Sequence, residues 1–408
     1  MRYLIVVPDG AGDEPIAKLE GKTPLQMARM PITNGLAKLG LVGMVKTIPE
    51  GIAPGSDAAN LSVMGYDPAK FLTGRAPLEA ASIGIEMLDT DVAFRTNLIT
   101  LTGDGEYEDM IITDHSSGDI STEEADQLIN AVQGKFGNEK IKFYTGVSYR
   151  HCMIVKDGET SHDLTPPHDV LTRRAGDYLP KGEGAGFITQ MMKESYELLK
   201  NHSVNLERVK RGLNPANTIW IWGQGKKPAL TSFYDKYKIR GTAISAVDLI
   251  KGIALCAGLN SVDVAGATGT LHSNFEGKAE AAINEFETGK DFVYMHLEVP
   301  DECSHQGDLE GKIKSLEIID EKIIKPLVEY LRSTGEDFRV LIVPDHRTPI
   351  ALRTHNSDPV PFVLYNSRSQ DIVNQSNSFD EVSGAKGMYF DSGFSLANYF
   401  FARLKTDS

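Results

Sequence analysis

Tyr3-Leu4-Ile5-Val6-Val7-Pro8-Asp9 is a short apolar run closed by Pro-Asp, and the chain uses the same device twice more. Phe292-Val293-Tyr294-Met295-His296-Leu297 leads to Val299-Pro300-Asp301, and Val340-Leu341-Ile342 leads to Val343-Pro344-Asp345. Runs of this length and composition read as buried strands. Proline has no N–H to donate, so it stops the ladder at the strand exit. Each strand then delivers a carboxylate at its C-terminal end. In open α/β sheets that edge is where ligands bind, which makes α/β the expected fold class. Three carboxylates gathered there repel one another unless a cation sits among them.

Histidines flank these carboxylates. His305 follows Asp301 by four residues, which puts both side chains on one face of a helical turn. His346 follows Asp345 directly, and His355 lies nine residues further on. Asp9, Asp301, Asp345, His305, His346 and His355 form a mixed oxygen and nitrogen donor set. It suffices for two divalent ions where carboxylates or a hydroxyl bridge them. Any one of these residues alone reads as a cap, a turn or a satisfied core group. The repeated context argues that they act together.

The chain has 408 residues, room for two domains or for one with a large insertion. Its 41% hydrophobic and 24% charged content is that of a soluble globular protein. A net charge of −14 argues against nucleic acid as a partner. It also means that an anionic substrate needs local cations, either metals or clustered arginines. Cys152, Cys256 and Cys303 form no CxxC and no even-numbered framework, as in a reducing compartment. No apolar run is long enough to span a membrane. The chain enters a strand at Arg2 without a signal-peptide pattern, so a cytoplasmic location is expected. Nothing in the sequence points to a protein partner.

Asp9-Gly10-Ala11-Gly12-Asp13 is a flexible loop suited to close ligand approach. Further on, Pro54-Gly55-Ser56-Asp57 precedes a helical pattern. The Ser56 hydroxyl suits two roles there, an N-cap or a nucleophile beside backbone N–H groups that bind phosphate. From about Asp91 to Lys238 the texture changes. Strands look short, at Ile141–Tyr144 and Cys152–Val155, and loops are rich in Gly, Pro and His. Ser121-Thr122-Glu123-Glu124 reads as a capping box opening a helix, and Met191–Leu199 as a second helix. The Pro-Asp device is absent from this stretch. Residues 1–90 and 240–408 are therefore expected to fold together around an inserted 91–239 domain that carries recognition. After it, Ala246–Cys256 is an apolar helix with Lys251 inside it, facing solvent or an anion. Ile313–Ser333 reads as an amphipathic helix interrupted at Pro326, and Val360–Tyr365 as the closing strand.

A set of longer motifs now becomes specific. They are Asp9-Gly10, Gly55-Ser56-Asp57 through Gly65-Tyr66-Asp67-Pro68, Gly74-Arg75-Ala76-Pro77-Leu78-Glu79-Ala80, Ile120-Ser121-Thr122-Glu123-Glu124-Ala125, Gly266-Ala267-Thr268-Gly269, Asp301 through His305, Asp345-His346-Arg347-Thr348-Pro349, and His355 with Asp358-Pro359-Val360-Pro361. Over nearly its whole length the chain resembles the archaeal-type, cofactor-independent phosphoglycerate mutases of the alkaline phosphatase superfamily. The resemblance implies a mostly parallel sheet between helices, with a smaller α+β domain inserted. It implies Ser56 as nucleophile, one metal on Asp9, Ser56, Asp345 and His346, and another on Asp301, His305 and His355. Such enzymes use Mn²⁺, Mg²⁺, Co²⁺ or Zn²⁺ and no 2,3-bisphosphoglycerate. They move a phosphoryl group within a small phosphorylated carboxylic acid through a phosphoserine, and the insert excludes water and supplies the carboxylate-binding cations. Candidates for those cations are Arg150, Lys251 and Arg75, with Arg173 and Arg174 weaker. His115 is a candidate for acid–base or substrate contact. The alternatives for the same Ser56 and metals are phosphoryl transfer to homoserine, expected of one branch of the family, and phosphomonoester hydrolysis. A metal-binding protein without turnover is a further class, against which the complete ligand set speaks. Cys303-Ser304, Gln306, Asp119 and Ala76 depart from the usual pattern, and none is among the implied ligands.

Overall fold

The computed structural model describes residues 1–368 and 376–402. The chain divides into two compact units, Met1–Leu72 with Leu230–Ser408, and Thr73–Ala229. The division differs from the expected 90/91 and 239/240, and packing explains why. Helix Ala76–Ser82 buries Ala76 and Ala80 against Ala93, Cys152 and Ile154 of the middle segment. Gly74 is pressed so close to strand Thr218–Lys226 that a Cβ on it would lie 2.2 Å from the Gln224 carbonyl oxygen. Residues 230–239 belong with the first unit for similar reasons. Tyr66 donates its hydroxyl to the Thr231 carbonyl at 2.8 Å, and the Phe233 ring stacks on Phe292 at 5.0 Å.

The first unit is built on an eight-stranded sheet. Its order is Met388–Phe390, Leu41–Val45, Val360–Asn366, Phe338–Ile342, Arg2–Pro8, Phe292–Leu297, Gly241–Ile244 and Asn260–Val262. Neighbours run parallel except on the two sides of Val360–Asn366, which is antiparallel to both. This is the expected mostly parallel α/β sheet. Leu4, Ile5, Val6 and Val7 are all fully buried. Helices cover both faces of such a sheet, so its central strands read as unbroken apolar runs. Val360–Asn366 is not the last strand. Met388–Phe390 follows it and forms an edge.

The three Pro-Asp strands are adjacent, with Arg2–Pro8 in the middle. Val6 pairs with Met295 on one side and Ile342 on the other, so the three C-terminal ends lie level. Two expected details differ. The second strand stops at Leu297, and Val299-Pro300-Asp301 opens helix Val299–Gln306. Pro300 sits in the first turn, where the missing N–H costs nothing. The expected Ile313–Ser333 helix is Leu309–Ile319, a π turn at Asp320–Ile324, and Lys325–Ser333. Lys325 donates its N–H to the Asp320 carbonyl, and this shift of the ladder places Pro326 at the start of a fresh helical segment.

The second unit is an antiparallel sheet. Strand Val92–Thr102 pairs with Thr218–Lys226 along one side, and with Arg150–Val155 and Ile111–Asp114 along the other. Ile141–Val147 completes it. At 11 and 9 residues, the two long strands are not the short ones expected here. Helices Thr122–Phe136 and Gly186–Leu199 bury Leu128, Ile129, Ile188 and Met192 in a core with Phe94, Leu98 and Trp220.

Candidate active site

The strand ends bring six of the expected residues together. Asp9 leaves the central strand with its N–H on the Leu297 carbonyl at 3.0 Å. Gly10 then turns with φ +62°, and a Cβ on it would lie 2.4 Å from Asp301 Oδ1. Only glycine allows the loop and the Asp301 carboxylate to approach this closely. Asp9, Asp345 and His346 offer ligand atoms within 4.8 Å of one another, and so do Asp301, His346 and His355. His305 joins the second group. Its Nε2 lies 3.0 Å from Asp301 Oδ2 and 3.1 Å from His355 Nε2. Its Nδ1 donates to the Arg353 carbonyl at 2.9 Å, which orients the ring with Nε2 facing the cluster.

Ser56 is the first residue of helix Ser56–Val63, and the N-cap is Gly55. The Ser56 hydroxyl therefore caps nothing. Its Oγ lies 3.1 Å from His346 Nε2. Of the two roles open to it in the sequence, the geometry removes the cap.

The surroundings of these groups were not legible as site residues. Asn60, one helical turn after Ser56, donates to Asp345 Oδ2 and to the Ser56 carbonyl, both at 2.8 Å. Its Oδ1 accepts from the Tyr294 hydroxyl at 2.6 Å. The Thr348 hydroxyl donates to Asp301 Oδ1 and touches His346 Nδ1 at 3.2 Å. His296 Nε2 stands 3.1 Å from Asp9 Oδ2, off the line of a hydrogen bond, and its Nδ1 is 3.3 Å from Ser245 Oγ. A histidine and a tyrosine inside the apolar run 292–297 were the available signal.

The electrostatics of the cluster ask for positive charge. Burial pushes the Asp9 carboxyl well above its usual range, and Asp345 and Asp301 push it further. Two carboxylates within 4.8 Å repel by about 3 kcal/mol at an effective dielectric of 20. Asp9 Oδ1 and His296 Nε2 are buried without a hydrogen-bond partner. Leaving such atoms unmatched is costly, and a cation bound to Asp9 removes most of that cost. The donor set of carboxylates and imidazoles fits divalent metal ions on these grounds.

His305 gives a direct test. Its hydrogen bond to Asp301 outweighs burial and lifts its pKa from 6.5 to about 9. A ligand imidazole must be neutral. Metal uptake at about pH 7.5 should therefore release roughly one proton from His305. Calorimetric titration of the stripped protein with Mn²⁺, in two buffers of different ionisation enthalpy, reads this number. A binding heat independent of buffer would remove His305 from the ligand set. In the metal-free protein the sign is the same. The raised pKa contributes stability that is fully present below 6.5 and is lost as the pH climbs through about 9.

Lys251 is held by Asp263 at 2.5 Å and Asp248 at 3.4 Å. The middle unit gathers His115, Arg150 and Arg75 around a patch that also contains Arg95, Trp222 and His168. The His115 ring meets Tyr149 edge-on at 5.6 Å and His168 at 6.1 Å. The Arg150 guanidinium lies over Tyr149 at 5.7 Å and makes no ion pair among the described residues. Arg95 is buried, stacks on Trp222 at 4.3 Å and pairs with Glu79 at 2.9 Å, and Arg75 reaches the same Glu79 at 3.7 Å. Burial lowers the His168 pKa, and Arg95, His115 and Arg75 add to the effect. The patch thus suits an anion. Arg174 pairs with Asp109 at 2.6 Å, and Arg173 joins the main chain of Ile112.

Comparison with known proteins adds to this geometry. Residues 37–205 match the family model described as 2,3-bisphosphoglycerate-independent phosphoglycerate mutase. The Methanosarcina barkeri protein named 2,3-bisphosphoglycerate-independent phosphoglycerate mutase is 46% identical over 95% of this chain and 96% of its own. A probable mutase of the same name from Geobacter sulfurreducens is 44% identical over 97% and 98%. Among solved structures, a cofactor-independent phosphoglycerate mutase from Thermoplasma acidophilum superposes with a TM-score of 0.67 at 26% identity, covering 98% of both chains.

Proposed function

Because the chain belongs to the family of 2,3-bisphosphoglycerate-independent phosphoglycerate mutases, which are isomerases, we propose that it interconverts 3-phosphoglycerate and 2-phosphoglycerate through a phosphoserine on Ser56. The carrying observation is the Ser56 hydroxyl at the N-terminus of helix Ser56–Val63, 3.1 Å from His346 and beside a carboxylate and imidazole cluster. One ion is assigned to Asp9, Ser56, Asp345 and His346, and the other to Asp301, His305 and His355. When bound, divalent ions lower the pKa of the serine hydroxyl and neutralise charge on the phosphoryl oxygens. The mixed donor set suits Mn²⁺, the ion we assign, while Mg²⁺, Co²⁺ and Zn²⁺ share its ligands.

Ser56 Oγ loses its proton and attacks phosphorus, and the substrate oxygen leaves and takes up a proton. The other glycerate hydroxyl then attacks the phosphoserine, loses its proton and frees Ser56 Oγ. Asn60 holds the Ser56 main chain and the Asp345 carboxylate in fixed relation throughout. Thr348 does the same for Asp301 and His346. Recognition of the substrate carboxylate is assigned to Arg150 and its neighbours, with His115 as the contact able to exchange a proton. Lys251, tied to two aspartates, is assigned a share of the anion binding once substrate competes for it. No helix of the described residues is long and apolar enough to cross a membrane. We place the enzyme in the cytoplasm, in keeping with three cysteines whose spacing makes no CxxC and no even-numbered framework.

The test is an assay on Mn²⁺-loaded protein with 3-phosphoglycerate, following 2-phosphoglycerate and free phosphate together. Isomerisation without phosphate release is the expected result. Phosphate release alone would make the protein a phosphomonoesterase. Neither product, with Ser56 labelled from another phosphate donor, would favour the homoserine-type transferase.

A further inference from the structure

We propose that Lys312 is the positioning residue that locks the 9–13 and 345–350 loops together and so sets metal affinity, an inference that rests on the metal-site reading above. Lys312 lies in helix Leu309–Ile319, and its side chain has no exposed surface. Its Nζ donates to Asp13 Oδ2 at 2.8 Å, to the Thr348 carbonyl at 2.9 Å and to the Gly12 carbonyl at 3.3 Å. An ammonium has three protons, and all three are used. Two acceptors belong to the loop that begins at Asp9. The third lies two residues beyond His346.

The acceptors themselves join the loops. Asp13 Oδ2 also accepts the Ile350 N–H at 3.2 Å, and the Gly12 carbonyl accepts the Thr348 N–H at 3.2 Å. A Cβ on Gly12 would lie 2.7 Å from Arg347 Cγ, so the bare glycine leaves room for the Arg347 side chain to pack on the first loop. On the far side of Thr348, the hydroxyl contacts Asp301 and His346. Lys312 is thus one residue removed from ligands of both proposed ions, and none of its bonds goes to a ligand's own donor atoms.

A buried lysine–aspartate pair is a poor device for stability alone. Desolvation of the two charges offsets most of their attraction, and an apolar pair of similar volume often does as well. An apolar side chain cannot supply three directional bonds to two separate loops. That is the property a site needs when its carboxylates repel until an ion arrives. Outer partners of this kind typically change metal affinity by roughly 10–100-fold.

The test uses the full-length chain stripped by chelation, with Mn²⁺ as the probe and free Mn²⁺ read by electron paramagnetic resonance. Lys312→Met removes the three donors and leaves Asp13 buried and unpaired. Lys312→Met/Asp13→Asn removes the unpaired charge as well. Binding is measured well below each variant's own melting temperature, so that lost stability does not enter the Kd. The double variant is expected to melt closer to wild type than the single variant. Its Mn²⁺ Kd should nevertheless stay roughly 10–100-fold above wild type. A double variant with the wild-type Kd would reduce Lys312 to a structural residue and overturn the proposal. If wild type itself takes up no Mn²⁺, the metal-site reading fails first and carries this inference down with it. The two failures are therefore distinguishable.

Discussion

Ser56→Ala is expected to abolish isomerisation while leaving the fold intact. Without the hydroxyl there is no acceptor for the phosphoryl group, so the loss is that of a removed nucleophile, roughly 10⁴-fold or more in kcat. Stability should hardly change. The side chain caps no helix, and the one polar contact at its Oγ is His346 Nε2 at 3.1 Å. Alanine suits the first turn of a helix, and a half-buried substitution of this kind shifts stability by about 0.5 kcal/mol at most. The Asn60 bond is to the Ser56 carbonyl and survives the change. The measurements are the coupled assay, a thermal melt, and acid quench of wild type during turnover to trap phosphoserine. Turnover in the variant within tenfold of wild type would end the covalent reading. So would a wild-type quench that yields label on no serine.

The sheet and its ligand-bearing edge were readable because one local device recurs. A buried parallel strand leaves a continuous apolar run, and Pro-Asp marks its exit, so Asp9 and Asp345 could be placed by eye. Asp301 shows the limit of that device. Its Val-Pro-Asp belongs to the first turn of helix Val299–Gln306, and the strand has already ended at Leu297. The tripeptide is compatible with both contexts, and only the four-residue step to His305 hinted at a helix. Ser56 was ambiguous for a related reason. Gly-Ser-Asp suits an N-cap as well as a helix's first residue, and tertiary contact with His346 decides between them.

Other parts depend on contacts that leave little local trace. Asn60 and Thr348 are ordinary helix and loop residues until the fold sets them against Asp345 and Asp301. In the middle unit, Arg95 sits in strand Val92–Thr102, and its partners Glu79 and Trp222 come from a helix before that strand and a strand well after it. The unit boundary rests on packing likewise: the burial of Ala76 and Ala80 against Cys152 and Ile154 joins helix Ala76–Ser82 to the middle unit.

The second large effect expected is on metal. Chelation should abolish isomerisation, and Mn²⁺ should restore it, because the carboxylates of the site repel when no cation is bound. A sharper version separates the two ions. His346 Nε2 lies within reach of both donor groups. A neutral imidazole nitrogen has a single lone pair, so it serves one ion. Asp301 already has His305 and His355 beside it, at 3.0 and 3.5 Å. Among the described residues, the histidine whose ligand atom lies within 4.8 Å of both Asp9 and Asp345 is His346. His346 is therefore assigned to the Asp9–Asp345 ion. His346→Ala should lose that ion and keep the other, and His355→Ala should do the reverse. Elemental analysis would then find about two ions per chain in wild type and about one in each variant. Both variants should lose isomerisation by roughly 10³-fold or more, because each ion, when bound, would supply part of the charge neutralisation that phosphoryl transfer needs. Retention of two ions in His346→Ala would take the residue out of the ligand set. Loss of both would show that the second ion does not bind without the first, and the assignment of separate ions would then fail.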